Sequence, residues 1–272
     1  MDKLLFGISG LPHGNGTQKF NYSSGIEYLK SLNLDAMELP FVRSVNVTDK
    51  NKESILETKI KNNFYLSAHG SYYVNLNADE DEKQNKSLER IIKCANGLSK
   101  INGRSLVFHP GFYLKDSKEE AYSTIKSNLL KLPHDTIDYR LETTGKASQF
   151  GSLEELVSLC REIPSCKLCI DFSHIHARYN GSLKSYDDFA KILQYVKSNL
   201  GEDALKDMHI HMSGIRYSAK GERNHLPLKE SDFNYIDCLR AFKDFDIKGC
   251  IICESPILED DALLLKETYE NL

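Results

Sequence analysis

The sequence predicts a single-domain (β/α)8 TIM barrel, and three observations carry that prediction. Eight short apolar runs each precede one amphipathic segment, the pattern of parallel strands joined by helices. The length of 272 residues suits a barrel formed as one unit, since such folds run to roughly 250 residues. No linker, low-complexity tract or compositional break divides the chain, so one domain over residues 1–272 is expected. An open three-layer sheet would carry a glycine-rich phosphate loop after its first strand. Here Gly7-Ile8-Ser9-Gly10 has neither the GxGxxG nor the P-loop spacing.

In chain order, the expected strands span residues 4–9, 35–39, 64–69, 105–109, 139–142, 168–171, 208–212 and 250–254. Each apolar run is short enough for a strand covered on both faces. The helices between and after them are expected over 23–32, 50–61, 79–101, 117–131, 152–161, 185–200, 230–245 and 260–271. In the helix after Ser185, the side chains Phe189, Ile192, Leu193 and Val196 recur at i, i+3, i+4 and i+7, forming one stripe to pack on a barrel wall. Ser152 with Glu155 three residues later is a capping box, which marks another helix start.

Composition narrows the class. With 40% hydrophobic and 27% charged residues the chain matches an ordinary globular protein. No apolar run approaches the roughly 18 residues needed to span a bilayer. The Leu4-Leu5-Phe6 patch is too short for a signal-peptide core, so a cytoplasmic address and no membrane partner are expected. Seven cysteines, an odd count, favour reduced thiols. Cys166/Cys169 and Cys250/Cys253 have CxxC spacing, but i and i+3 face opposite sides of a strand, so these are expected to be buried structural thiols. The formal charge of -4 gives no global field to draw in nucleic acid, although bound divalent cations would add local positive charge.

The chemistry concentrates at the strand ends. Strands two to eight close on Glu38, His69, His109, Glu142, Asp171, His211 and Glu254, seven residues of metal-ligand type in succession in a chain with nine histidines. A barrel gathers those carboxyl ends into one ring. Imidazole with carboxylate and no thiolate suits Zn2+ first, and also manganese (Mn2+), cobalt or iron. Seven ligands exceed the capacity of one tetrahedral ion, so two or three ions are expected, with a carboxylate bridging two. Asp171 and His174, three apart, straddle a strand-to-loop turn that would bring both to the cluster. Of the two imidazoles on one strand face, His211 is assigned as ligand because it lies nearer the strand end, and His209 is a candidate supporting residue. His225 lies in a polar loop and is an open candidate. His13 and His134 are expected at the surface.

These segments resemble the endonuclease IV family of zinc-dependent apurinic/apyrimidinic endonucleases, within the xylose-isomerase-like TIM barrel superfamily. The resemblance rests on Ser67-Ala68-His69-Gly70-Ser71-Tyr72 with Asn75-Leu76, on Phe108-His109-Pro110-Gly111, and on Leu141-Glu142-Thr143-Thr144-Gly145 with Gly151. It continues through Ile170-Asp171-Phe172-Ser173-His174, His211 with Ser213, His225, and Cys253-Glu254-Ser255-Pro256. It implies three zinc ions: one held by His69, His109 and Glu142, a second by Glu142, Asp171, His211 and Glu254, a third by His174 and His225. Glu142 and Glu254 would be the catalytic carboxylates. The implied reaction is hydrolysis of the phosphodiester 5′ to an abasic site in base excision repair. It leaves a 3′-hydroxyl and a 5′-deoxyribose phosphate. The implied partner is damaged double-stranded DNA, bound by a monomer. Tyr72 matches the aromatic residue that enters the duplex as the abasic nucleotide flips out, and Arg43, after strand two, is assigned to the same gap.

One departure stands out. The family has Asp-x-His in the loop after strand seven, whereas the position two before His225 is Arg223, which cannot ligate a cation. Glu222 is the expected substitute if the loop bends differently, with His176 the weaker candidate. The superfamily also holds sugar isomerases and epimerases, whose metal quartet would map to Glu142, Asp171, His211 and Glu254, leaving the other histidines as substrate contacts or spectators.

Overall fold

Residues 2–134 and 137–272 are described by the structure, a computed structural model. Its first half runs β1 (Leu4–Ser9), α1 (Tyr22–Ser31), β2 (Ala36–Pro40), α2 (Lys52–Lys61), β3 (Tyr65–His69), α3 (Asp81–Ser99), β4 (Ser105–Phe108), β5 (Gly111–Phe112) and α4 (Lys118–Leu129). The second half begins β6 (Asp138–Glu142), β7 (Gln149–Phe150), α5 (Leu153–Glu162), β8 (Cys166–Asp171), α6 (Phe172–Arg178), α7 (Tyr186–Leu200) and α8 (Glu202–Leu205). It ends β9 (Met208–Met212), β10 (Gly214–Ser218), β11 (Gly221–Leu226), α9 (Tyr235–Asp244), β12 (Gly249–Cys253) and α10 (Glu259–Asn271). The parallel strands β1, β2, β3, β4, β6, β8, β9 and β12 close into a barrel, and each of the eight expected strands overlaps one of them.

Strand period sorts the side chains onto two faces. Leu66, Ala68, Leu106, Phe108, Ile170, Ile210 and Ile251 belong to the main apolar core shared with the helices. The stripe expected on α7 is buried at Phe189, Ile192, Leu193 and Val196, and each such side chain removed from water contributes roughly 1.5–3 kcal/mol. The capping box expected at Ser152/Glu155 forms, and Ser185/Asp188 makes another at the start of α7. The helix expected from residue 230 starts at Tyr235 instead. Leu228–Glu230 makes a separate 3-10 turn, and the Asn234 side chain caps α9 by accepting from the Asp237 N–H.

The other face fills the barrel interior, where the apolar cluster is small, comprising Ala36, Cys250 and Ile252. Polar side chains occupy much of the rest. Arg140, 2% exposed, donates Nη1 to Asp207 O at 2.7 Å and Leu168 O at 3.3 Å, and its Nη2 pairs with Asp207 Oδ2 at 3.1 Å. Lys167 Nζ reaches the same Asp207 oxygen at 2.6 Å. This ion network closes the amino-terminal end of the barrel and leaves the carboxyl end for chemistry. No helix among the described residues is long and apolar enough to cross a membrane.

Candidate metal centre

His69 and Glu142 are the last residues of β3 and β6, and Asp171 the last of β8. His211 is the penultimate residue of β9, while His109 and Glu254 lie one residue past β4 and β12. Alternation turns all six inward. Asp171 also starts α6: its Oδ1 accepts the His174 N–H at 2.8 Å, so a helical turn rather than the expected loop carries His174 over the same mouth.

Glu142 is the hub. Its Oε2 lies 3.0 Å from His69 Nε2 and 2.8 Å from His109 Nε2, and its Oε1 lies 3.2 Å from His211 Nδ1 and 3.3 Å from His174 Nδ1. The ligand atoms of His69, His109 and Glu142 lie within 4.8 Å of one another, as do those of Glu142, Asp171, His211 and Glu254, and those of Asp171, His174 and His225. Backbone carbonyls select the ring nitrogens. A carbonyl only accepts, so His69 Nδ1 donates to Gly70 O at 2.9 Å, His174 Nδ1 to Thr143 O at 3.0 Å, and His225 Nδ1 to Glu254 O at 3.0 Å. Each of these rings keeps its Nε2 lone pair for the site.

The third group answers the Arg223 departure. His225 comes from β11, half of an antiparallel ribbon with β10 that polar sequence did not announce. Arg216 pairs with Asn224 but Tyr217 pairs with Glu222, so Arg223 is the extra residue of a bulge. The bulge reverses strand parity. Arg223 is exposed, while Glu222 and His225 are both half-buried. His174 Nε2 lies 3.4 Å from His225 Nε2 and 3.6 Å from Glu222 Oε2. A Cβ on Gly145 would sit 2.6 Å from Glu222 Oε2, so only glycine there lets the Glu222 side chain lie across the loop after β6. His176 is elsewhere: its Nε2 faces Asp232 Oδ1 at 3.2 Å and its Nδ1 accepts from the Leu183 N–H at 3.1 Å.

Other sequence assignments separate in the same way. Glu38 belongs to none of these groups, because it lies two residues before the end of β2 and is held deeper in the barrel. His209 faces Glu38. His13 and His134 are exposed. The cysteines are free and all but Cys160 are buried, and Cys169 lies close enough to His209 and His211 for their ligand atoms to fall within 4.8 Å. Tyr72, 68% exposed, holds its ring centroid 5.6 Å from that of His69. Arg43 is exposed in the loop after β2.

The donor set fits divalent ions. Asp171 Oδ2 is buried with no hydrogen-bond partner among the described residues, its nearest cationic neighbour being His174 Nδ1 at 3.4 Å. Burial pushes the Asp171 carboxyl up against the opposing pull of His174, and the charges of Glu254 and Glu142 add to the rise. Burial also opposes charge on His69, yet Glu142 drives that imidazole up to about 9. Against the same burial, Asp171 and Glu142 raise His174 well above the ordinary range, Cys169 and then Glu254 raise His211, and the imidazoles hold Glu142 well below its own range. Buried anions so dependent on nearby positive charge are the environment a dication compensates.

Residues 26–271 match the family described as xylose isomerase-like TIM barrel. An uncharacterised protein of Methanocaldococcus jannaschii is 47% identical, across 99% of this chain and 98% of its own length. The apurinic-apyrimidinic endonuclease 1 of Plasmodium falciparum is 23% identical over 84% of this chain, which spans only 40% of that protein. Among solved structures, a D-tagatose 3-epimerase-like protein superposes with TM-score 0.76 at 20% identity, covering 98% of this chain and 96% of that one. Endonuclease IV from Thermus thermophilus superposes with TM-score 0.72 at 18% identity, covering 98% of both chains. At such identities the two structures speak to the fold alone. The family match over nearly the whole sequence, on a closed eight-stranded parallel barrel, establishes that the chain belongs to the xylose isomerase-like TIM barrel family.

Proposed function

We propose that the protein is a metal-dependent phosphodiester hydrolase, an apurinic/apyrimidinic endonuclease that cleaves duplex DNA 5′ to abasic sites. The observation that carries this reading is the division of Glu142, one oxygen toward His69 and His109 and the other toward His211 and His174. A quartet for sugar isomerisation leaves His69, His109, His174 and His225 without a ligand role, whereas a second ion uses His69 and His109 and a third uses His174 and His225.

In this reading His69, His109 and Glu142 hold one ion, Glu142, Asp171, His211 and Glu254 a second, and His174 with His225 a third. Zn2+ is the ion this imidazole-carboxylate set suits first. Such ions, when bound, neutralise charge on phosphate oxygens and lower the pKa of water. The chain's own groups do the rest. Glu142, fully buried, holds one oxygen toward each imidazole pair, and Glu254, less buried, is the carboxylate placed to accept a proton at the rim. The exposed Tyr72 ring stands beside His69, where it can stack in the gap left by an everted nucleotide. Arg216, Lys220 and Arg223 on the ribbon are exposed and make no ion pair among the described residues, so they offer local positive charge to a phosphate backbone despite the net charge of -4.

The test is incision of a duplex carrying a synthetic abasic site by the zinc-loaded protein. Glu142→Gln should lower the rate by orders of magnitude while the fold persists. The second reading has its own support, since Glu142, Asp171, His211 and Glu254 form a compact group by themselves. If loaded protein leaves abasic duplex intact across a range of salt, yet interconverts an aldose and a ketose or two epimers, the isomerase reading replaces the nuclease.

A further inference from the structure

Three rings of the candidate centre keep Nε2 for the site because a backbone carbonyl occupies Nδ1, but His211 is turned the other way. Its Nδ1 points at the centre, 3.2 Å from Glu142 Oε1 and 3.6 Å from Glu254 Oε1. Its Nε2 points into the barrel, 3.0 Å from Glu38 Oε1, an ion-pair distance, and both are buried atoms to which no hydrogen bond is otherwise assigned among the described residues. Glu38 is itself fixed: its Oε2 accepts from Ser67 Oγ at 2.8 Å and faces His209 Nε2 at 2.8 Å, and His209 Nδ1 lies 3.2 Å from Cys250 Sγ. Glu38, His209 and His211 are all essentially without solvent contact.

We infer that Glu38 is a positioning residue that accepts the Nε2–H of His211 and so commits Nδ1 of that ring to the ion shared by Glu142, Asp171 and Glu254. An imidazole that ligates through one nitrogen carries its proton on the other, and a buried N–H without an acceptor is costly. A carboxylate acceptor also fixes the ring plane and raises the donor strength of the ligating nitrogen. Ser67 and His209 hold Glu38 in the rotamer that does this. The inference rests on the metal reading of the site, and it gives functions to Glu38 and His209 that direct ligation does not.

Zinc-loaded protein labelled with 15N-histidine tests it without any substitution. Long-range proton-nitrogen correlation should find the His211 proton on Nε2. A proton on Nδ1 overturns the inference. Chelator competition on Glu38→Gln and Glu38→Ala should show one ion weakened by roughly 10- to 100-fold while the others keep their affinity, with Glu38→Ala the more affected. Equal weakening of every ion, or unchanged affinity in folded Glu38→Gln, overturns it as well. So does loss of an ion in Cys169→Ser, which would make the Cys169, His209 and His211 group an interior metal site instead. Wild-type protein that takes up no zinc sinks the metal reading and this inference with it. Uptake with an indifferent Glu38 sinks the inference alone.

Discussion

Metal uptake should raise the melting temperature by an amount that depends on which carboxylate is removed. Glu142 offers one oxygen to His69 and His109 and the other to His211 and His174, so Glu142→Gln strips a charged ligand from two groups at once. His225→Ala and Glu222→Ala touch only the third group. An ion present at 100 times its dissociation constant stabilises a fold that alone binds it by about 2.7 kcal/mol. At about 2.1 cal/mol/K per residue, the unfolding entropy of a chain of 272 residues is about 0.57 kcal/mol/K. Each occupied group should therefore add about 5 °C to Tm, and three groups about 14 °C. Calorimetry of chelated against zinc-loaded protein, with ions counted by elemental analysis, measures the rise. His225→Ala and Glu222→Ala should each forfeit one step and Glu142→Gln two, whereas Arg223→Asp, on the exposed side of the bulge, should add none. A full rise in Glu142→Gln, or the same loss in all three ligand variants, would refute the shared carboxylate.

Tyr72→Ala should leave the ion count intact while weakening binding to abasic duplex by roughly 5- to 150-fold, the equivalent of about 1–3 kcal/mol of stacking. A gel-shift series measures it, and unchanged affinity would remove Tyr72 from the DNA surface. At the other end of the barrel, Asp207→Asn should cost about 3 kcal/mol at pH 7, because it leaves the buried Arg140 guanidinium without its carboxylate. Although burial raises the pKa of Asp207, the charges of Arg140, Lys167 and Arg104 hold it below the ordinary value. A depressed carboxylate stabilises above its unfolded pKa and stops doing so as pH falls through the folded one. The gap between wild type and Asp207→Asn, read by denaturant unfolding, should therefore narrow below about pH 4. A constant gap would contradict the pairing.

The barrel was legible because its strands are apolar on the face toward the helices and helices such as α7 carry an apolar stripe, two periods that local sequence exposes directly. The ribbon of β10 and β11 was not, since Arg216, Tyr217, Ser218, Glu222 and Arg223 have no alternation of apolar and polar residues. Pairing there follows from tertiary position, beside α6 and over Gly145, rather than from propensity. Short α6 escaped for a related reason: Asp171-Phe172-Ser173-His174 looks like a strand end, and only the cap at Asp171 shows that a helix begins inside it. Glu38 was legible as a residue type but not as a role, because type says nothing of depth along a strand.

Arg223 shows how far such reading reaches. Alternation puts residues 223 and 225 on one face, so an arginine beside His225 argues on paper that the third group has lost its carboxylate. One unpaired residue changes that conclusion, because it carries Glu222 to the face that Arg223 would otherwise occupy. The substitution and the bulge are then parts of one arrangement. Without the bulge, Glu222 would point to solvent and Arg223 toward His174, placing a guanidinium beside an imidazole that the surrounding carboxylates already favour in the charged form. With it, the cation joins Arg216 and Lys220 on the exposed side of the ribbon, and the carboxylate lies 3.6 Å from His174. A residue that on paper cancels a metal group thereby becomes charge for whatever anion approaches the mouth of the barrel.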